Sequence, residues 1–130
     1  MKNISVIIPT YNGKELLLKN LPAIIKESQE YKAATEILVI DDGSKDGTCE
    51  FIAKQFPTIN IIRKEKNEGF AKAVNTGIKA SEYELVFLLN NDIQITSGIF
   101  CKLAQYFDLS LIHISEPTRP LYISYAVFCL

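Results

Sequence analysis

Four short runs of apolar residues, each followed at once by polar turn formers, divide the first 108 positions of the chain. The runs cover residues 4–8, 37–40, 59–62 and 85–89, and Asn60 makes the third the weakest. Apolar runs of this length favour strands that are covered on both faces, as in the middle of a mostly parallel sheet. A buried helix is the competing interpretation for residues 85–89. The run is short and ends in Asn and Asp, so we prefer a strand.

The segments between these runs repeat apolar residues with the period of a helix. In the first segment Leu17, Leu21 and Ile24 fall on one face, but Pro22 lies inside the pattern. We therefore expect the first helix to be split or kinked at Pro22, with Asn20 capping a second part. The later helical patterns are those of Cys49, Ile52 and Phe56, of Phe70, Val74 and Ile78, and of Ile99, Phe100, Leu103 and Phe107.

Strands and helices alternate as β-α-β-α-β-α-β-α along the chain. This order predicts an α/β fold with a doubly wound, mostly parallel sheet and helices on both faces. The expected strand order is 3-2-1-4, which makes the first and fourth strands neighbours and places the second strand on the other side of the first.

The composition supports one globular domain with a core of ordinary size. The chain has 130 residues, 48% of them hydrophobic, and a net charge of −1. A balance this close to neutral argues against nucleic acid or an anionic membrane surface as a partner. Cys49, Cys101 and Cys129 lack metal-binding or redox spacing, so we interpret them as small apolar residues in a reducing compartment. No apolar run is long enough to span a membrane or to form a signal peptide, and we expect a cytoplasmic protein.

The chain changes character after Asp108. Residues 109–119 match neither helical nor strand periodicity and look like the in-frame translation of a sequencing-library adapter. We therefore predict that residues 1–108 are the native part and that residues 109–130 are a non-native read-through tail. A native strand and loop is the alternative. His113, the only histidine, falls in this tail and supports no catalytic or metal-binding hypothesis.

Polar clusters follow three of the predicted strands. They comprise residues 9–12, where Pro9 is expected to end the first strand, residues 41–44, and residues 90–92. Each alone is adequately explained as a turn or a helix cap. With the strand order 3-2-1-4, however, all three converge at the carboxyl edge of the sheet, where open α/β sheets bind their ligands.

The chemistry of these clusters favours a metal-bridged phosphate ligand. Acidic residues without a surplus of basic ones would repel a bare phosphate, so a divalent cation is expected to mediate. Asp92 offers a hard oxygen ligand for Mg²⁺ or Mn²⁺, which bind phosphates alongside one or two carboxylates. The glycine spacings of dinucleotide-binding and Walker A loops are absent, which argues against NAD and ATP-hydrolase functions.

Four motifs in order carry a resemblance to a known family. They are Pro-Thr-Tyr-Asn at residues 9–12, Asp-Asp-Gly-Ser at 41–44, the glycine- and asparagine-containing segment at 67–78, and Leu-Leu-Asn-Asn-Asp at 88–92. Together they are similar to family 2 glycosyltransferases with the GT-A fold, over residues 4 to about 107. The resemblance implies the Rossmann-like, nucleotide-binding half of that fold, truncated in this chain.

The same resemblance implies roles for individual residues. Pro9, Thr10 and Tyr11 would line the base pocket, with Tyr11 against a pyrimidine ring. Asp41 or Asp42 would accept a hydrogen bond from the base imide N–H. The full set of implied donor-binding residues is Pro9, Thr10, Tyr11, Asn12, Asp41, Asp42, Gly69, Lys72, Asn90 and Asn91.

The metal motif departs from the family's usual Asp-x-Asp. Asp92 would be its metal-binding member, whereas Asn90 stands where the first Asp is usual. The Asn-Asn-Asp version resembles a subgroup with many rhamnosyltransferase-like members, which implies a dTDP-sugar donor as an alternative to a UDP-sugar. Lys72 lies where the family often places a basic residue near the diphosphate.

The reaction implied by the resemblance is the transfer of a sugar from a nucleotide diphosphate to a hydroxyl of a glycan or lipid-linked acceptor, with inversion. In the family the general base and the acceptor site follow the Asp-x-Asp region, so we expect this chain to be a donor-binding fragment without its base. A non-catalytic nucleotide-binding module is the alternative. For the intact parent, the resemblance allows a peripheral position at the membrane.

Overall fold

We describe residues 2–109 and 124–128 of a computed structural model, with side chains through residue 105. Strands and helices alternate along the chain as the sequence predicts, and one further strand follows. The elements are β1 (Ile4–Thr10), α1 (Lys14–Glu30), β2 (Thr35–Asp41), α2 (Thr48–Gln55), β3 (Asn60–Arg63), α3 (Phe70–Ala80), β4 (Leu85–Leu89), α4 (Ile99–Leu109) and β5 (Ser124–Phe128).

The strands form one sheet in the order β3-β2-β1-β4-β5. All pairs are parallel, with Thr10 of β1 opposite Asp41 of β2 and Ile7 opposite Leu88 of β4. The predicted α/β class and the order 3-2-1-4 are therefore confirmed. Since the strands are parallel, the ends of β1, β2 and β4 meet at one edge of the sheet.

Helices cover both faces of this sheet, so every central strand is buried on both sides. On one face α1, α2 and α4 pack against inward residues such as Val6, Ile8 and Phe87. On the other face α3 packs against Ile7 and Ile40. This two-sided burial explains why the strands are continuous apolar runs without polar alternation.

The two prolines near the amino terminus do not act as predicted. Helix α1 runs from Lys14 to Glu30 through Pro22, and the predicted split is wrong. The side chain of Asn20 is buried and binds another loop, so it does not start a second helix. Strand β1 likewise continues past Pro9. The pairing of β1 with β4 has already ended at Ile7, so the missing N–H of Pro9 removes no bond from that ladder.

Part of the predicted non-native tail has a defined backbone. Ser124–Phe128 forms β5, which pairs with β4 as the edge strand of the sheet, and α4 ends at Leu109. Residues 110–123, which include His113, and residues 129–130, which include Cys129, lie outside the described residues. The assignment of residues 109–130 as foreign stays a prediction.

A helix that crosses a bilayer must be long and apolar. Among the helices in the described part of the chain, none has the length and apolar character that would let it cross a bilayer.

Candidate functional site

A cleft of about 400 Å³ opens at the carboxyl edge of the sheet, between the ends of β1, β2 and β4 and the start of α3. It lies where the winding of the sheet reverses, as expected for a ligand site of an open α/β fold. Eight of the eleven residues predicted for the site line it. The lining consists of Pro9, Thr10, Tyr11, Asp42, Asn67, Gly69, Phe70, Ala73, Asn90, Asn91 and Asp92.

Asp42 connects the end of β2 to the loop before α3. Its carboxylate is buried and accepts hydrogen bonds from the backbone N–H groups of Glu68, at 3.0 Å, and Gly69, at 2.9 Å. Its own N–H donates to the carbonyl of Thr10 at 2.9 Å. Each carboxylate oxygen accepts one such bond and keeps a second acceptor site. Asp42 therefore holds the loop and can still receive a donor from a ligand in the cleft.

Asp41 points away from the cleft, although the sequence left Asp41 and Asp42 as equal candidates. It is 1% exposed, and its carboxylate accepts bonds from the Ser44 N–H at 3.0 Å and the Cys49 thiol at 2.7 Å. Asp41 ends β2 on the same face as Val39, which packs beneath α1 and α2. It therefore organises the turn between β2 and α2 and does not line the cleft.

Cys49 is a buried thiol without the features of a nucleophile. Burial, together with the hydrogen bond to Asp41 and the negative charge of that carboxylate, raises the pKa of Cys49 to about 12. The thiol therefore stays protonated at neutral pH.

Asp46 is exposed and lies just before α2. Its small degree of burial opposes ionisation of the carboxyl group. Hydrogen bonds from Thr48 and from the Lys14 N–H outweigh that effect and lower the Asp46 pKa.

Asn12 also lies outside the cleft lining. Its backbone adopts a positive φ of 51°, a conformation that asparagine tolerates better than most residues. Its N–H donates to the Ser44 hydroxyl at 2.7 Å, and its side-chain oxygen accepts from the Lys45 N–H at 2.8 Å. Asn12 thus links the loop after β1 to the loop after β2.

Two aromatic side chains on the cleft are unusually exposed. Tyr11 is 46% exposed and Phe70 is 58% exposed, although both are large and largely apolar. The helical period placed Phe70 on the core face of α3 with Val74 and Ile78. In the structure Phe70 is the first residue of that helix and lies at the mouth of the cleft. Its position directly after Gly69, at a helix start that faces the strand ends, was the signal that could have identified it.

Lys72 is placed near the cleft but not in its lining. Its side chain is 68% exposed, and its ammonium group lies 3.6 Å from the carboxylate of Glu68. Glu68 is also 3.6 Å from the ammonium group of Lys64. An exposed pair of this kind contributes little to stability, so Lys72 can turn toward a ligand at small cost.

The turn after β4 presents the predicted metal ligand. Asp92 is exposed, and Asn90 and Asn91 are half-buried. Among the described residues, no three His, Cys, Asp or Glu side chains are grouped to hold a metal. One carboxylate beside an amide oxygen does not form a complete cage. This pair of oxygen ligands fits an Mg²⁺ or Mn²⁺ ion that takes its remaining ligands from phosphates and water.

Asn91 is fixed by contacts on both sides. Its side-chain amide donates to the Thr10 hydroxyl at 2.9 Å, and its carbonyl accepts from the Asn20 side chain at 2.8 Å. The absence of a side chain at Gly13 makes this arrangement possible. A Cβ there would overlap both Thr10 Oγ1 and Asn91 Nδ2.

Several sequence relatives of this chain are named as glycosyltransferases. Glycosyltransferase AglE of Haloferax volcanii is 43% identical over 94 residues, which are 68% of this chain and 30% of that protein. The poly(ribitol-phosphate) beta-N-acetylglucosaminyltransferase TarP of Staphylococcus aureus is 35% identical over 95 residues, 71% of this chain and 29% of that protein. The chain thus spans about 30% of the length of these curated relatives.

Solved structures share the fold. The crystal structure of Staphylococcus aureus TarS 1–349 in complex with UDP-GlcNAc has a TM-score of 0.72 and 29% identity, covering 82% of this chain and 31% of that one. The mannosyltransferase PcManGT from Pyrobaculum calidifontis, in complex with GDP-Man and Mn²⁺, has a TM-score of 0.72 over 85% of this chain and 33% of its own. At 24% identity it supports the fold alone.

The family assignment rests on most of the chain. The family model "Glycosyl transferase family 2" matches residues 5–113, which run from the second residue of β1 to beyond the end of α4. Together with the strand order and the cleft, this match confirms the predicted GT-A-type, Rossmann-like half. The chain belongs to glycosyl transferase family 2.

Proposed function

We propose that this chain is the donor-binding part of an inverting glycosyltransferase that uses a UDP- or dTDP-sugar. The observation that carries the proposal is the grouping of Asp42, Tyr11 and Asp92 on one cleft. Asp42 is suited to a base, Tyr11 to a ring face and Asp92 to a metal-bound diphosphate. The UDP-GlcNAc complex of TarS, a structural relative, supports the same class of donor.

Recognition of the base follows from the acceptor sites left on Asp42. Uracil and thymine carry an imide N–H, which the remaining lone pairs of the carboxylate can accept. Cytosine has a lone pair at the same ring position and would be repelled. Tyr11 and Phe70, the exposed aromatics of the cleft, supply flat apolar surface for the ring. The cleft is therefore expected to prefer UDP or dTDP over CDP.

The diphosphate would lie toward Asp92 and the start of α3. Asp92 and the side-chain oxygen of Asn90 would hold Mg²⁺ or Mn²⁺ together with phosphate oxygens, and Lys72 can approach from α3. When bound, the ion would neutralise the charge that develops on the departing diphosphate. The remaining part of the reaction needs a general base and an acceptor site. We expect the parent protein to supply them outside the described residues, for a glycan or lipid-linked acceptor in the cytoplasm.

The donor sugar follows less directly from this cleft than the base does. The Asn-Asn-Asp version of the metal motif is the feature that suggests a dTDP-sugar such as dTDP-rhamnose. Comparing the affinities for dTDP and UDP on the same protein tests which nucleotide the cleft prefers. Both carry the imide N–H, so Asp42 alone would not distinguish them.

Titration calorimetry of the 130-residue chain with UDP, dTDP and CDP, each with Mn²⁺ and with chelator, tests the proposal. We expect UDP or dTDP to bind at least about tenfold more tightly than CDP, the effect of one hydrogen bond to a charged group. Mn²⁺ should strengthen binding, and Asp92→Ala should remove that gain. Glu30→Ala, an exposed carboxylate at the far end of α1, serves as the control.

Three results would argue against parts of the proposal. Equal affinity for UDP and CDP would remove base recognition from Asp42. Binding that is unaffected by both chelator and Asp92→Ala would remove the metal role from Asp92. Sugar transfer by this chain alone would contradict the expectation that its general base is missing.

A further inference from the structure

Asn20 is a polar residue at a core position of α1. It is 5% exposed and stands next to Leu21 in the buried face that also contains Leu17 and Ile24. Asparagine is a poor residue for a helix interior, and an apolar side chain would suit both the helix and the core better. The sequence pattern suggested a helix cap, but α1 is continuous through this position. Asn20 therefore needs another explanation.

Its side chain reaches the turn that follows β4. The amide nitrogen of Asn20 donates to the carbonyl of Asn91 at 2.8 Å, across 71 positions of sequence. The side chain of Asn91 in turn donates to Thr10. The turn is closed by the Ile93 N–H, which donates to the Asn90 carbonyl at 3.2 Å, and Ile93 itself is buried.

These contacts hold Asn91 by its backbone and by its side chain, and its two neighbours line the cleft beside it. Asn90 and Asp92 line the cleft, and Asp92 is exposed. The direction in which Asp92 points therefore depends on how firmly the middle of the turn is fixed. On the α1 side, Asn20 supplies that fixation.

We propose that Asn20 is a positioning residue that orients the turn at residues 90–92, and with it Asp92, toward a metal-bound diphosphate. This inference rests on the proposed function for its consequence in binding, while the restraint of the turn stands on the contacts alone. Asn20 does not touch the ligand. It acts through the carbonyl of Asn91.

The test uses Asn20→Leu, which keeps the size of the side chain and removes the donor. Leucine adds apolar burial and helix propensity, which offset the lost hydrogen bond, so we expect the urea midpoint to change little. The matched control is Glu27→Gln, on the same helix. Glu27 is also buried, and it accepts bonds from the Gly98 and Phe100 N–H groups at 3.0 Å each.

Hydrogen exchange in the free 130-residue protein gives the first readout. Asn20→Leu should accelerate exchange of the Ile93 amide about five- to tenfold, the effect of losing one hydrogen bond. It should leave Gly98 and Phe100 unchanged. Glu27→Gln should show the opposite pattern. Unchanged exchange at Ile93, or equal acceleration at both loops in both variants, would overturn the proposal.

Binding gives the second readout. The ratio of UDP affinities with and without Mn²⁺ should fall about five- to tenfold in Asn20→Leu and stay at the parent value in Glu27→Gln. A parent value in Asn20→Leu would overturn the link to metal-assisted binding. If the parent chain binds no UDP at all, the proposed function fails, and exchange at Ile93 still decides whether Asn20 restrains the turn.

Discussion

The two adjacent carboxylates at the end of β2 allow a sharp test, because the structure gives them different tasks. Asp42→Asn replaces one carboxylate oxygen by an amide NH₂, which is only a donor, so the side chain loses the acceptor for either the Glu68 or the Gly69 N–H. Asp41→Asn does the same to the bonds from Ser44 and Cys49. A hydrogen bond to a charged group contributes about 1.5–3 kcal/mol. Each variant should therefore lower the free energy of unfolding by about 1–3 kcal/mol.

Only Asp42→Asn should change base selectivity. Its amide can turn a donor toward the ring nitrogen of cytosine, so the ratio of UDP to CDP affinity should fall at least about tenfold, equivalent to 1.4 kcal/mol. Asp41→Asn should keep the parent ratio. Both nucleotides are measured by calorimetry on the same preparation, so a partly unfolded sample affects each alike and cancels in the ratio. Loss of selectivity in Asp41→Asn with an unchanged ratio in Asp42→Asn would refute the assignment.

Three further predictions concern stability. Because the pKa of Cys49 is raised from its ordinary value of 9.0 to about 12, its contribution to stability is present below pH 9 and is lost as the pH rises through 12. The parent should therefore lose stability more steeply than Cys49→Ser in urea unfolding across this range, and parallel curves would contradict the effect. Gly77→Ala should destabilise by about 1–3 kcal/mol, since its Cβ would lie 2.5 Å from Cγ2 of Ile7; a gain in thermal midpoint would count against this packing. Residues 1–108 should match the full chain in urea midpoint and solubility, whereas a loss of several kcal/mol would show that the tail belongs to the fold.

Much of the fold follows from the sequence because the strands are buried on both faces. The continuous runs identify the strands, and the parallel order brings their polar ends to one edge. The orientation of Asp41 and Asp42 was less accessible. Alternation along β2 predicts that they point in opposite directions, but only the packing of α2 against one face tells which of them reaches the cleft.

Local rules failed where tertiary contacts decide. The rule that proline breaks a helix was wrong at Pro22, because the packing of Leu17, Leu21 and Ile24 stabilises one continuous helix. Asn20 was interpreted as a helix cap because its actual partner, Asn91, is 71 positions away and cannot be recognised from the local sequence. Phe70 fitted the helical period, but the first turn of α3 extends beyond the core, so period alone could not place it.

A two-dimensional ¹H–¹⁵N NMR titration of the 130-residue chain with UDP and Mg²⁺ tests most directly whether the cleft binds a nucleotide diphosphate. We expect the largest shifts at the amides of Tyr11, Gly69, Phe70 and Asp92, which surround the cleft. The amides of Ser5, Glu36 and Glu82, near the starts of β1, β2 and β4 at the opposite edge of the sheet, should stay in place. Shifts centred on that opposite edge, or no shifts at saturating UDP, would contradict nucleotide binding in the cleft.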